Sequence, residues 1–137
     1  MKFKIFTLLF FTVLLFGCSD DDSTGDNKTE IEYYLRVESP VNYIIEIKYK
    51  NPDGSTVVVP TDSNTIKLEE GNLVWSKKIK VDVPFDAELS VEQVNTSNIE
   101  IRYSMSIFKG DDVMEFYIGR VEPGLRNVGT VDVTIAE

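Results

Sequence analysis

The sequence predicts an all-β chain, folded as a small antiparallel β-sandwich of about seven to nine strands. Two observations carry that expectation. Apolar residues from Ile31 onward recur with a period of two rather than 3.6. Turn-forming residues punctuate these alternating runs at spacings of roughly 8–12 residues, the rhythm of a sandwich. A third observation bounds the size: 137 residues argue for one folded domain with enough chain to bury a core.

The chain opens on something else. Met1-Lys2-Phe3-Lys4 is basic, and Ile5–Phe16 is apolar apart from Thr7 and Thr12. That run falls within the ~7–15 residues of a signal-peptide core and short of the ~20 needed to span a bilayer. Leu15-Phe16-Gly17-Cys18 resembles a bacterial lipobox, with Leu three residues before the Cys and a small residue directly before it. Phe16 is bulkier than the usual Ala or Ser at its position. The resemblance implies cleavage before Cys18 and acylation of that residue, the only Cys in the chain. Each buried methylene contributes about 0.8 kcal/mol, so several acyl chains make a durable anchor where one does not. Ser19-Asp20-Asp21-Asp22 resembles the export signal of Bacteroidota lipoproteins, which implies the outer membrane with the chain facing the exterior. The other reading of this acidic run is the solvated start of a linker.

Asp20 to Glu30 contains no apolar residue and cannot bury surface to offset ordering entropy, which predicts a flexible tether. Its aspartates lack the ligand alternation and distal Glu of a calcium-binding loop. The expected organisation is a signal peptide over 1–17, a lipidated Cys and acidic tether over 18–29, and a β-domain over 30–137.

Within the domain, Ile31, Tyr33, Leu35 and Val37 alternate with polar neighbours and stop at Ser39-Pro40. Tyr43, Ile45, Ile47 and Tyr49 form a second run. Asn51-Pro52-Asp53-Gly54 then turns the chain, with Pro presetting φ and Asp-Gly supplying the corner, into a return strand at Thr56–Val59. Thr65–Glu69 is a short strand, with Ile66 and Leu68 on one face, and Glu70-Gly71-Asn72 turns again. Leu73–Val83 is the longest candidate, with Trp75, Lys77, Ile79, Val81 and Val83 sharing a face, and Pro84-Phe85-Asp86 breaks it. Ala87, Leu89, Val91 and Gln93 line the next strand, which ends in the Asn95-Thr96-Ser97-Asn98 turn. Ile99, Ile101, Tyr103, Met105 and Ile107 alternate most cleanly. A hairpin at Lys109-Gly110-Asp111-Asp112 leads to Val113–Val121, with Met114, Phe116 and Ile118 on one face. Gly129, Val131, Val133 and Ile135 close the sheet after Glu122-Pro123-Gly124. An immunoglobulin-like or transthyretin-like arrangement accommodates this count.

Chemistry is sparse. The chain has no His, and with Cys18 committed to the anchor no thiol nucleophile remains. The commonest general base near neutral pH, the commonest zinc ligand and the Ser–His–acid and Cys–His arrangements are excluded. No Walker-type or dinucleotide-type glycine loop occurs. The carboxylates Glu69-Glu70, Asp111-Asp112, Glu115 and Glu122 sit at tips and strands, not across a cleft as a glycosidase requires. We therefore expect no enzyme activity and no cofactor. A formal charge of −9, made more negative by loss of Lys2 and Lys4, leaves no electrostatic footprint for nucleic acid. Trp75 is either a core residue or a platform for a sugar ring. Tyr34, Ile44, Phe108, Val113 and Tyr117 interrupt otherwise polar faces, either as a ligand platform or as ordinary apolar surface.

The order of Tyr34-Leu35-Arg36-Val37, Ile47-Lys48-Tyr49 before Asn51-Pro52-Asp53-Gly54, Val74-Trp75, Ala87-Glu88-Leu89-Ser90-Val91, and Ile99-Glu100-Ile101 before Gly110-Asp111 resembles small MmpS-like lipoprotein β-sandwich domains. Val74 stands where that pattern has Pro, and Glu122–Val128 is longer than its counterpart. No functional residue is carried over from the resemblance. The partners expected are the membrane, through Cys18, and a protein or glycan met by the domain. Two other roles fit the same features, an accessory subunit of an envelope transport or secretion complex and a carrier of a small ligand.

Overall fold

A computed structural model describes residues 27–38, 43–61 and 65–137. Nine strands are found among them: β1 (Thr29–Glu38), β2 (Tyr43–Lys50), β3 (Thr56–Val59), β4 (Lys67–Glu69), β5 (Asn72–Val81), β6 (Phe85–Asn95), β7 (Ile101–Lys109), β8 (Asp112–Val121) and β9 (Arg126–Ile135). They form two antiparallel sheets, ordered β4-β5-β1-β7-β8 and β3-β2-β6-β9. No helix occurs among the described residues. Cys18, the Ser19–Asp22 signal and the rest of the N-terminal segment to Asp26 lie outside the described residues.

Period-two alternation fixes which side chains face inward. Ile31, Tyr33, Leu35 and Val37 of β1 are buried against Ile47, Leu89, Val91 and Val131 of the facing sheet. Tyr33 crosses the gap and donates its hydroxyl proton to the Lys50 carbonyl at 2.8 Å. Its ring lies 5.4 Å from Tyr49, which lies 5.8 Å from Trp75, so three aromatics on β1, β2 and β5 tie the two sheets together. Such tilted pairs contribute about 0.5–1.5 kcal/mol each beyond their burial.

Glycine matters most at two places. Gly54 has φ of +80° and closes the β2–β3 hairpin as the Asp-Gly pair requires, with the Asp53 carboxylate accepting from the Ser55 amide and hydroxyl. Those two hydrogen bonds, hydroxyl first, hold the Asp53 carboxyl below its ordinary value. Gly119 of β8 makes room for a ring: a Cβ there would collide with Tyr103, and one on Gly129 of β9 would stand 2.5 Å from the Tyr103 hydroxyl. Tyr103 fills the slot so formed and donates to Asn127 Oδ1 at 2.7 Å.

Some boundaries differ from the sequence expectation. β1 begins at Thr29, opposite Val81, so the strand takes the last residue assigned to the tether. Neighbouring Glu30 and Lys78 secure that end with a 3.1 Å ion pair. The predicted Thr65–Glu69 strand shrinks to Lys67–Glu69, and Leu68 is exposed, because β4 caps only the start of β5. Phe85 does not extend the break at Pro84. It opens β6 and is buried.

Candidate interaction surface

The outer face of the five-stranded sheet holds the apolar surface. Strand register places its side chains in rows. Lys78, Glu32, Phe108 and Val113 lie side by side across β5, β1, β7 and β8. The next row is Ser76, Tyr34, Ser106 and Phe116, and the one after it Val74, Arg36, Ser104 and Ile118. Ser104 and Ser106 are small, and each stands between two large residues on the flanking strands. The result is a trough along β7, walled by β1 and β8.

The trough has two chemically different ends. At one, Glu32, Tyr34, Phe108, Gly110 and Asp111 line a recess of about 310 Å³, with Tyr34 and Phe108 edge-to-face at 6.3 Å. At the other, Arg36, Glu38, Arg102, Ser104, Ile118 and Arg120 line one of about 450 Å³. Glu100 accepts from Arg102 Nε at 3.2 Å and stands 3.8 Å from Arg120 Nε, so one carboxylate serves two guanidiniums. The acidic end is also compensated. Lys78 reaches Glu30 at 3.1 Å and Glu32 at 3.9 Å. Hydrogen bonding to Glu30 first, then attraction to Glu30 and Glu32, raises the Lys78 ammonium above its ordinary value.

Between these ends the surface is apolar and open. Phe116 is 60 % exposed and Ile118 65 %, with Val113 also exposed. The outer face of the other sheet differs. There Thr134 donates to Asp86 at 2.7 Å, Thr130 to Ser90 at 3.3 Å, Lys48 pairs with Glu46, and Arg126 pairs with Glu92. Val58 and Val128 are also exposed on that face, but on its two opposite edge strands, so among the described residues the large apolar side chains gather on the outer face of the five-stranded sheet, the kind of patch that marks a contact site.

Trp75 plays no part in this surface. It is 5 % exposed on the inner face of β5 against Tyr49, so it offers no open ring to a sugar, and the core reading holds. Tyr34, Phe108 and Val113 are brought together as neighbours on the outer face, whereas the side chain of Ile44 lies outside the described residues. Tyr117 is a correction. It lies on the inner face opposite Met105, its ring 5.9 Å from Tyr103 and still 36 % exposed on this edge strand, while Phe116 and Ile118 take the outer face. A β-bulge is the cause. Ile107 pairs with Glu115 and Phe108 with Val113, leaving Met114 as the extra residue and exchanging the faces beyond it. Met114 packs against the core.

Glu69-Glu70, Asp111-Asp112, Glu115 and Glu122 are exposed and do not gather into a cleft. Among the described residues, no group of three or more His, Cys, Asp or Glu is placed to hold a metal. The geometry defines an antiparallel β-sandwich with one exposed apolar outer face. Comparisons with protein-family models, curated proteins and solved structures found no match to the chain.

Proposed function

We propose that this chain is a lipid-anchored, non-enzymatic binding protein of the bacterial envelope, tethered at Cys18 and contacting a protein partner through the outer face of the five-stranded sheet. The anchor rests on the lipobox-like Leu15–Cys18, and presentation at the outer surface rests on Ser19–Asp22. The binding role rests on one observation: Phe116 and Ile118 stand mostly exposed beside Tyr34 and Phe108 as a cluster, while Val58 and Val128 on the other sheet's outer face stand apart on opposite edge strands. Open apolar surface of this kind favours a protein over a small ligand, which would need a concave, largely enclosed pocket. A role as accessory subunit of an envelope complex is a special case of this reading. The resemblance to MmpS-like domains fits the same anchored sandwich.

Two experiments test the parts separately. Replacing Cys18 by Ser should abolish metabolic acyl labelling, and persistent labelling would remove the anchor. A photo-cross-linking side chain placed at Phe116 in intact cells should yield a protein adduct, whereas one at Ser90 on the opposite sheet should not. Equal adducts, or none from Phe116, would remove the outer face as the contact.

A further inference from the structure

The two sheets end in four edge strands, β4 and β8 in one, β3 and β9 in the other. Exposed edges invite another strand, and natural sheets blunt them by shortness, polarity, bulges or cover. β4 spans three residues and β3 four. β9 is long, but Arg126, Thr130, Asp132 and Thr134 make its outer face polar around a single exposed apolar residue, Val128. β8 is long, has neither Pro nor Lys, and carries Phe116 and Ile118 outward. Its bulge interrupts only the first part. From Phe116 to Val121 the pairing with β7 is regular.

The backbone there is oriented for use. Lys109 and Asp112 close the two-residue hairpin as a hydrogen-bonded pair, and alternation through the bulge makes Tyr117 and Gly119 the ladder residues. The amides of Phe116, Ile118 and Arg120 then face away from β7. The Phe116 N–H confirms the direction, since it donates to the side chain of its own neighbour, Glu115 Oε1, at 3.0 Å. Arg120 follows on the same face, its side chain 63 % exposed and its nearest carboxylate shared with Arg102.

We propose that β8 receives an extended segment of a protein partner as a sixth strand of the sheet. The segment places apolar side chains beside Phe116 and Ile118 and an acidic one beside Arg120. This rests on the reading of the domain as a protein-binding module and specifies how the partner is held. Main-chain hydrogen bonds supply affinity in such strand addition, and alternate side chains supply selectivity. Antiparallel addition reads the partner as acidic–x–apolar–x–aromatic. A second copy of the chain fits less well. Pairing the regular run of β8 with itself brings Arg120 opposite the partner's Phe116, which gives the guanidinium no acid.

The test uses the full chain purified in detergent and a labelled, end-blocked peptide, Thr-Asp-Thr-Val-Thr-Phe-Thr, against its counterpart with Lys in place of Asp. Fluorescence anisotropy should show the Asp peptide binding about two- to fivefold more tightly than the Lys peptide, the size of a cross-strand charge pair. Hydrogen exchange should slow at Phe116 and Ile118. Arg120→Glu should invert the preference. Ile118→Pro removes an edge-facing N–H and leaves the β7 ladder intact, so it should fold and lose the peptide. If Ile118→Pro fails to fold, the inversion by Arg120→Glu decides.

Equal binding of both peptides, or full binding by a folded Ile118→Pro chain, would overturn the proposal. So would a chain that sediments as a dimer with its β8 amides already protected, which would make a second copy the occupant. A wild-type chain that binds neither peptide while the Phe116 cross-link forms in cells overturns strand addition alone. Absence of both from the wild-type chain overturns the binding surface as well.

Discussion

Gln93 and Asn95 point into the same end of the core, each 1 % exposed, with opposite hydrogen-bonding outcomes. Asn95 Nδ2 donates to the carbonyls of Ile99 and Val121 at 2.7 Å each, and Oδ1 accepts from the amide and hydroxyl of Ser97. It joins the end of β6 to the end of β8. Neither amide atom of Gln93 has a partner. An unsatisfied buried polar group costs about 1–3 kcal/mol, and a fully bonded one costs a similar amount to remove. Gln93→Met should therefore raise the melting temperature, whereas Asn95→Ala should lower stability by about 2–3 kcal/mol. Denaturant melts of both variants check this, and a destabilised Gln93→Met would show that the amide is satisfied in solution. Gln93 is legible as inward by parity, whereas Asn95 reads by residue type as the start of a turn and is in fact the buried last residue of β6. That one amide would be bonded and the other not depends on the β8 carbonyl, far away in sequence.

The buried tyrosines give the fold a pH dependence at its alkaline limit. Burial is the main reason the Tyr33 and Tyr103 hydroxyls are pushed well above their ordinary value of 10.0, and burial also raises Tyr49. Below about pH 10 these phenols are neutral in both folded and unfolded chains and cost nothing. Above it the unfolded chain releases protons that the native chain retains, so stability must fall as pH rises. Titration of absorbance at 295 nm should show a late component coinciding with loss of far-UV signal, reduced in Tyr33→Phe and Tyr103→Phe. Complete phenol ionisation with the fold intact would contradict the burial.

At the scale of the element, alternation identifies each of the strands, but Ile99, read as the start of an inner row, lies before β7 and is exposed, and Val83 lies beyond the end of β5. β8 departs further. Val113–Ile118 is apolar at most positions, so the sequence offers two faces of similar character, and plain alternation groups Met114, Phe116 and Ile118 together. The bulge separates them. No glycine or proline marks it between Val113 and Glu115, so it follows from pairing across the hairpin, not from local residue type. β4 is shorter than its pattern predicts for the opposite reason. Ile66 and Leu68 carry a strand pattern, but their partner β5 offers them only its first residues. The candidate surface inherits both facts. Tyr34, Phe108 and Val113 could be singled out in sequence, and Phe116 and Ile118 joined them only once the bulge had set the face.

For the whole molecule, the two sheets divide the work. The four-stranded sheet presents a largely hydrogen-bonded exterior with Val58 and Val128 apart on its edges, and the five-stranded sheet presents a trough with acids at one end, arginines at the other and apolar side chains between. Thr29, where β1 begins, lies at the acidic end, and Arg102 and Arg120 lie at the far end. A chain hung from Cys18 would therefore carry its arginine end away from the tether. Fold class was readable because a period of two is a local signal. The surface was only partly readable because it is assembled from three strands by register.

The most direct measurement compares capture of partner proteins from intact cells by the wild-type chain and by a Phe116→Thr, Ile118→Thr double variant. Both side chains are mostly exposed, so the melting temperature should change little, while capture of the wild-type partner should fall at least tenfold, about 1.4 kcal/mol. A variant that melts like the wild type and captures the same proteins at the same yield would contradict the assignment of the outer face of the five-stranded sheet as the functional surface.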